Sequence, residues 1–200
     1  PAMSMTLDEN RRKPCTVGKP MAFTQARIVD SQGLPVETGV LGEIAMKGGL
    51  SFSGYWNNEE ETKAIMRDGW IHTGDVGYQD DDGDYYICGR IKNMYISGGE
   101  NIFPSEIERC LELYPGVHEA CVLGVPDERW GEVGKALLVV DSPARFDVEG
   151  LREHLGARLS KIKHPRFFEI IETLPKNGAG KRDMRLIGKK YGACPSEKCV

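Results

Sequence analysis

Lys181 closes the segment Pro175-Lys176-Asn177-Gly178-Ala179-Gly180-Lys181, where two glycines leave one ammonium on a loop with little around it. Glycine lets backbone come close to a partner without side-chain obstruction. A mobile cation can then stabilise negative charge that grows in a transition state. The competing reading is a solvated lysine in a basic tail, because Arg182, Arg185, Lys189 and Lys190 follow closely. A second candidate is Asp75 in Trp70-Ile71-His72-Thr73-Gly74-Asp75-Val76-Gly77, a carboxylate set just after a glycine that closes a strand. A carboxylate can accept two hydrogen bonds at once, which suits a vicinal diol such as a ribose. On spacing alone an Asp-containing β-turn is the simpler reading. Arg90, in Gly89-Arg90-Ile91, reads by itself as half of a surface ion pair, and Gly98-Gly99-Glu100-Asn101 as a strand-ending turn.

Other chemistries fail on residue type. Gly180-Lys181 does not complete a phosphate-binding P-loop, which needs glycine where Pro175 stands and Ser or Thr where Arg182 stands. Aligning Gly83 with the invariant glycine of a calcium loop puts Tyr78 and Gly89 at its first and last ligand positions. His118-Glu119 lacks the second histidine of a zinc protease, because Val122 occupies that place. No Ser-His-Asp arrangement and no metal cage can be built, so no protein-only metal site is expected.

The elements that must carry these residues fall into two stretches. Residues 17–91 are turn-rich, with short strands broken by Gly and Asp clusters, which predicts a small distorted β-barrel or curled sheet. Within it, Asn58 to Met66 reads as one short helix with an Asn cap and early Glu, and Asp81-Asp82-Gly83-Asp84 as a hairpin turn. After Arg90 the pattern changes. Pro104 to Tyr114 predicts a helix with Pro in its first turn and Ile107, Leu111 and Tyr114 on one face. Glu119 to Val125 and Lys135 to Val140 read as paired apolar strands. Asp147 caps a helix with a stripe of Val148, Leu151, Leu155 and Leu159. Phe167 to Ile171 is a third strand and Arg182 to Lys190 a last helix. The fold class is therefore α+β: a β-barrel subdomain over 1–92, then a compact α+β domain with a mixed sheet over 93–200.

The 200 residues carry 40% hydrophobic and 28% charged residues with a net charge of −4, a globular balance without a basic surplus for nucleic acid. No apolar run reaches the length of a membrane span and no signal peptide is visible, so no transmembrane segment is expected. Six cysteines occur without a Cys-x-x-Cys pair. Cys15, Cys88, Cys110 and Cys121 read as small buried thiols, whereas Cys194 and Cys199 could pair in an oxidising setting. A reducing, cytoplasmic setting is expected. The chain opens without an initiator methionine, which looks like a cut from something longer.

Three ordered pieces, Thr73-Gly74-Asp75, Gly89-Arg90 to Phe103-Pro104, and Pro175 to Lys181, resemble the C-terminal motifs of the adenylate-forming superfamily. The likeness runs from about Val17 to Arg185. Ile102-Phe103-Pro104-Ser105-Glu106-Ile107-Glu108 resembles acyl-CoA and aryl-CoA synthetases more than peptide-synthetase modules. The resemblance implies carboxylate plus ATP giving acyl-adenylate and pyrophosphate, then thioester formation with CoA, with ATP carried by Mg²⁺. Residues 1–92 would then end a large AMP-binding domain, and 93–200 would be its C-terminal lid. Asp75 and Arg90 would hold the nucleotide and Lys181 would serve adenylation, where an acid and an α-phosphate, both anionic, are brought together. Gly98, Gly99 and Glu100 would form the loop of the thioester step, where a larger side chain would obstruct the pantetheine passage. Lid rotation would pivot at Asn93, where family members usually carry Asp or Lys; asparagine tolerates unusual backbone angles. The phosphate-gripping loop, the Thr-Glu motif and the acyl pocket normally lie upstream of Val17. The isolated chain is therefore expected to be inactive without that N-terminal domain. Two alternatives remain open at this point: a non-catalytic interaction module, and a fragment of a peptide-synthetase adenylation domain.

Overall fold

A computed structural model describes residues 2–49 and 52–193. The expected pairing of Cys194 with Cys199 lies outside them. The chain divides into two compact units, Pro1–Lys92 and Asn93–Val200.

The first unit is a curled antiparallel sheet. Its elements are β1 (Met3–Ser4), α1 (Leu7–Arg12), β2 (Thr16–Pro20), β3 (Thr24–Val29), β4 (Gly42–Gly48), α2 (Glu59–Ile65), β5 (Met66–Arg67), β6 (Trp70–Gln79) and β7 (Tyr85–Arg90). The hydrogen-bonded order is β1-β2-β7-β6-β4-β3, with β5 on β6, so the path is open and forms a half-barrel. Its curl is visible in one contact: Tyr85 on β7 donates its hydroxyl to the Ala26 carbonyl of β3, 2.8 Å away, although two strands separate them in the ladder. Ile28, Ile44 and Tyr85 are the buried centre of this concave side. Asn58 caps α2 as the sequence predicts, accepting from the Glu61 amide at 3.1 Å. Helix α1 is an addition to the sequence reading. Thr6 and Glu9 form a reciprocal capping box at its start.

The turn between β6 and β7 is held by Asp80, whose carboxylate accepts from the Asp82 and Asp84 amides. Asp80, Asp82 and Asp84 bring their oxygens together closely enough for a metal ion. The Lys13 ammonium sits among them at 2.6, 2.6 and 2.9 Å. A side-chain cation thus occupies the centre of this cluster, and contact with the three carboxylates holds the lysine strongly in its charged form. One sequence expectation needs correction here. Cys15 is exposed, in a turn with φ of +82°, rather than buried in a strand.

The second unit has three layers. It comprises β8 (Tyr95–Ser97), β9 (Glu100–Ile102), α3 (Pro104–Glu112), β10 (Val117–Asp127), β11 (Gly131–Val140), α4 (Val148–Gly156), β12 (Phe167–Ile170) and α5 (Met184–Tyr191). Strand β11 is central: β10 pairs with it antiparallel, β12 runs parallel to it, and β8 joins it at Gly131. Side chains alternate across a strand, and here both faces are apolar. Ala120, Val122, Ala136 and Leu138 face one core with Ile107, Leu111, Leu151 and Leu155 of α3 and α4. Cys121, Leu123, Val133 and Leu137 face another with Leu174, Ile187 and Tyr191. Two buried faces explain why these strands read as continuous apolar runs instead of alternating ones. Helix α4 starts at the Asp147 cap, but it ends at Gly156, so Leu159 packs from the following turn. Among the described residues no helix is long and apolar enough to cross a membrane.

Candidate functional site

In the first unit the candidate groups arise from a bulge in β6. Glu43 pairs with Val76 and Ala45 with His72, so Thr73, Gly74 and Asp75 together stand opposite Ile44 alone. Contrary to the sequence reading, the glycine does not close the strand; β6 continues to Gln79. The extra residues arch out of the ladder, as bulges do when they re-aim a side chain. Gly74 takes a φ of +71°, which glycine adopts without strain.

Glu43 staples the arch. One carboxylate oxygen accepts from the Gly74 amide at 2.9 Å and the other lies 2.7 Å from Nδ1 of the buried His72. Thr73 donates its hydroxyl to the Ile44 carbonyl at 2.8 Å and accepts from the Asp75 amide at 3.1 Å. Asp75 is thereby fixed across from Arg90 on β7, and Nε of Arg90 donates to its Oδ1 at 2.8 Å. The carboxylate is largely covered while the guanidinium is half exposed. Glu43→Ala would leave the Gly74 amide and His72 without their acceptor, and is expected to destabilise this unit by about 1–3 kcal/mol. Urea unfolding followed on the amide signals of β6 measures it; an unchanged midpoint would remove the staple from the account.

In the second unit, Gly98 and Gly99 form the two-residue turn of the β8–β9 hairpin, between the paired Ser97 and Glu100. Their φ angles of +58° and +87° define the turn geometry that matches strand twist and favours glycine. A Cβ on Gly98 would lie 2.6 Å from the Trp130 ring, whereas one on Gly99 would meet nothing within 4 Å. Trp130 is itself held. The Gly98 amide donates to the Trp130 carbonyl at 2.9 Å. Asp127 accepts from the Arg129 and Trp130 amides and pairs with Arg166. Beside this turn opens a cleft of about 1110 Å³ whose walls include Ser97, Trp130, Arg129, Lys161, His164 and Arg166. Glu100, Gly98 and Gly99 are exposed.

Lys181 ends a tight loop built by Asn177. Its side-chain oxygen accepts from the Ala179 and Lys181 amides at 3.0 and 3.1 Å, and its own amide donates to the Lys181 carbonyl at 2.7 Å. Gly180, at φ +75°, supplies the reversal. The neighbouring cations are paired: Lys176 with Glu119, Arg182 with Glu108 and Glu112. Among the described residues the Lys181 ammonium is exposed and in no ion pair. The two cations flanking the loop are thus anchored, whereas Lys181 at its end is not.

Asn93 is the last residue of a 3₁₀ turn, Ile91–Asn93, at the start of the second unit. Its backbone is not left-handed, so no strained angle marks the position. The structure thus brings Asp75 and Arg90 together in one unit. Gly98, Gly99, Glu100 and Lys181 belong to the other. Sequence reasoning missed Glu43, His72, Trp130 and Asp127 as supports. Asp127 and Trp130 lie in Val125-Pro126-Asp127-Glu128-Arg129-Trp130-Gly131-Glu132, whose Asp-x-x-Trp spacing is that of a capped turn.

An open curled sheet ending in an Asp–Arg pair, followed by a three-layer α+β unit with a glycine hairpin and a lysine loop, now has relatives to set beside it. Residues 106–181 match the AMP-binding enzyme C-terminal domain and residues 1–56 match the AMP-binding enzyme family. A feruloyl-CoA synthase from Amycolatopsis is 43% identical over 177 residues, covering 88% of this chain and 36% of that protein. A long-chain-fatty-acid–CoA ligase from Bacillus subtilis is 41% identical, covering 86% of this chain and 31% of its own length. Among solved structures, o-succinylbenzoate-CoA synthetase from Bacillus subtilis, bound to its acyl-adenylate intermediate, superposes with a TM-score of 0.86 at 35% identity. That match covers 90% of this chain and 37% of the synthetase. The chain belongs to the adenylate-forming, AMP-binding superfamily. It spans about a third of the length of these relatives.

Proposed function

We propose that the chain is the C-terminal part of an AMP-forming acid–thiol ligase that makes acyl-CoA from a carboxylic acid, ATP and CoA. Pro1–Lys92 would be the β-rich end of the large nucleotide-binding domain and Asn93–Val200 the small C-terminal domain. The observation that carries this reading is the exposed, unpaired Lys181 ammonium on a loop whose flanking cations are both held. A charge kept clear of partners within the chain is available for anions brought to it.

In the first half-reaction a carboxylate oxygen attacks the α-phosphorus of ATP, and the bond to the leaving pyrophosphate breaks. Both reactants are anionic, and Lys181 would offset the charge that gathers between them. Asp75 would accept hydrogen bonds from the ribose hydroxyls, and Arg90 would orient that carboxylate and face the nucleotide. In the second half-reaction the thiolate sulfur attacks the acyl carbon and the C–O bond to AMP breaks. The Gly98–Gly99 hairpin, with Glu100, would flank the thiol's approach. The adjacent cleft, with Trp130 and the cations Arg129, Lys161 and Arg166, suits an aromatic base carrying phosphates. Asn93, at the start of the second unit, would be the pivot exchanging Lys181 for the hairpin. Magnesium would arrive on the ATP phosphates; o-succinylbenzoate-CoA synthetase from Bacillus subtilis has been solved in complex with ATP and a magnesium ion. The chain's own carboxylate cluster is held by Lys13 and does not fit the role. The buried free thiols Cys110 and Cys121 support a reducing, cytoplasmic setting.

The test joins the chain behind that part of o-succinylbenzoate-CoA synthetase which it does not cover. Acid-dependent ATP–pyrophosphate exchange and CoA thioester formation are expected from the joined polypeptide and not from the 200 residues alone. Robust exchange by the chain alone would contradict the division of labour. Exchange absent from a folded joined polypeptide that still binds ATP would favour a non-catalytic module.

A further inference from the structure

The Lys181 loop is gripped at both ends by ion pairs that reach into the body of the second unit. Lys176 and Arg182 face each other across a β-bridge at the foot of the loop. Lys176 Nζ lies 2.8 Å from Glu119 on β10. The Arg182 fork spans two carboxylates one helical turn apart on α3, with one nitrogen 3.1 Å from Glu108 and the other 2.9 Å from Glu112. These carboxylates are themselves seated on the sheet. Glu108 accepts from the Val122 amide at 2.9 Å and Glu112 from the Ala120 amide at 3.3 Å. The chain of contacts therefore runs from the β10 backbone through α3 to the residue immediately after Lys181.

We infer that Glu108 and Glu112, acting through Arg182, and Glu119, acting through Lys176, are positioning residues that fix where the Lys181 ammonium is presented. The inference rests on the proposed role of Lys181 for its catalytic meaning, while the brace itself stands on geometry within one unit. Two carboxylates four residues apart on a helix repel each other. Burial also pushes the Glu108 carboxyl toward its neutral form, against the Val122 amide and Arg182. A single guanidinium works against both effects, and its rigid fork cannot be reproduced by a lysine. Ion pairs of this partly exposed kind add little net stability. Their yield here is geometric: three ion pairs converge on the two feet of a loop whose tip carries no packing of its own. A Cβ built on Gly178 or Gly180 would meet nothing within 4 Å.

Hydrogen exchange on the 200-residue chain gives a direct reading, because the Ala179 and Lys181 amides both donate to Asn177 and report loop closure. Arg182→Met is expected to speed exchange at these two amides about tenfold while the Leu138 amide of β11 keeps its rate. Arg182→Lys should recover only part of the protection. Glu119→Gln, a milder change on the other foot, should act in the same direction by about threefold, and serves if Arg182→Met fails to fold. In the joined polypeptide, Arg182→Met should lower adenylation about tenfold and leave thioester formation from a supplied acyl-adenylate within about twofold. Unchanged loop amides, equal acceleration at Leu138, or equal loss of both half-reactions would each overturn the inference. The Lys181→Ala control separates the two ideas. If it leaves adenylation intact, the proposed role of Lys181 fails, and the loop amides alone decide the brace.

Discussion

Lys181→Ala, placed in the joined polypeptide, is expected to cut acid-dependent ATP–pyrophosphate exchange by about 10²–10³-fold, the loss typical of removing one charge-stabilising donor. Thioester formation from a supplied acyl-adenylate should stay within about threefold, because in the proposed scheme the lysine's task would end when pyrophosphate leaves. The substitution itself is structurally mild. The side chain is exposed and unpaired, and the Asn177 contacts that shape the loop use backbone amides, which alanine retains. Folding effects should therefore not blur the kinetics. Equal loss of both half-reactions would argue that Lys181 serves substrate binding or structure.

Gly98→Val should produce the opposite split. Its Cβ would enter the Trp130 ring at 2.6 Å, and a β-branched residue is strained at a φ of +58°. Either the hairpin or the indole must move, and both border the cleft proposed to receive CoA. Thioester formation is expected to fall about 10²-fold, the scale of an ångström-level displacement at a reacting group. Pyrophosphate exchange should remain within about threefold, since the proposed scheme gives the hairpin no part in that step. Partial reactions with supplied acyl-adenylate and CoA measure the first value, and exchange assays the second. A matched fall in both would show that the hairpin supports the unit as a whole.

The pair of variants matters because the two proposed functional groups lie in one compact unit. Helix α3 joins them: it follows the hairpin through β9, and its carboxylates hold Arg182. A general loss of stability would lower both partial reactions together. Opposite selectivity from two positions on the same scaffold is therefore difficult to obtain from destabilisation alone.

Much of this scaffold was legible in the sequence. The Pro104 helix, the β10–β11 pair and the Asp147 cap announce themselves through local chemistry: a proline at a first turn, continuous apolar runs, an acceptor one residue before a stripe. Helix α1 was missed: Thr6 followed by Glu9 carries a capping-box signal, but its apolar face is too short to show periodicity. What could not be read are features set by distant partners. The arch at Thr73-Gly74-Asp75 exists because Glu43 and Ile44, on another strand, hold it. Arg182 looks like one more tail cation until α3 is folded beside it. Cys15 sits among residues that read as a strand, yet a turn places it outside. The candidate residues rest on the family resemblance, because spacing alone favours a plain turn at Asp75 and a surface ion pair at Arg90; their supports depend on distant partners.

In the proposed reaction an acid oxygen becomes joined to the α-phosphorus of ATP before a thiol takes the acyl group. Carboxylate labelled with ¹⁸O on both oxygens tests this directly, with the AMP released by the joined polypeptide read by ³¹P NMR. Attack at phosphorus followed by C–O cleavage predicts one ¹⁸O in AMP and one in the thioester carbonyl. Unlabelled AMP, or ADP as the nucleotide product, would contradict the account.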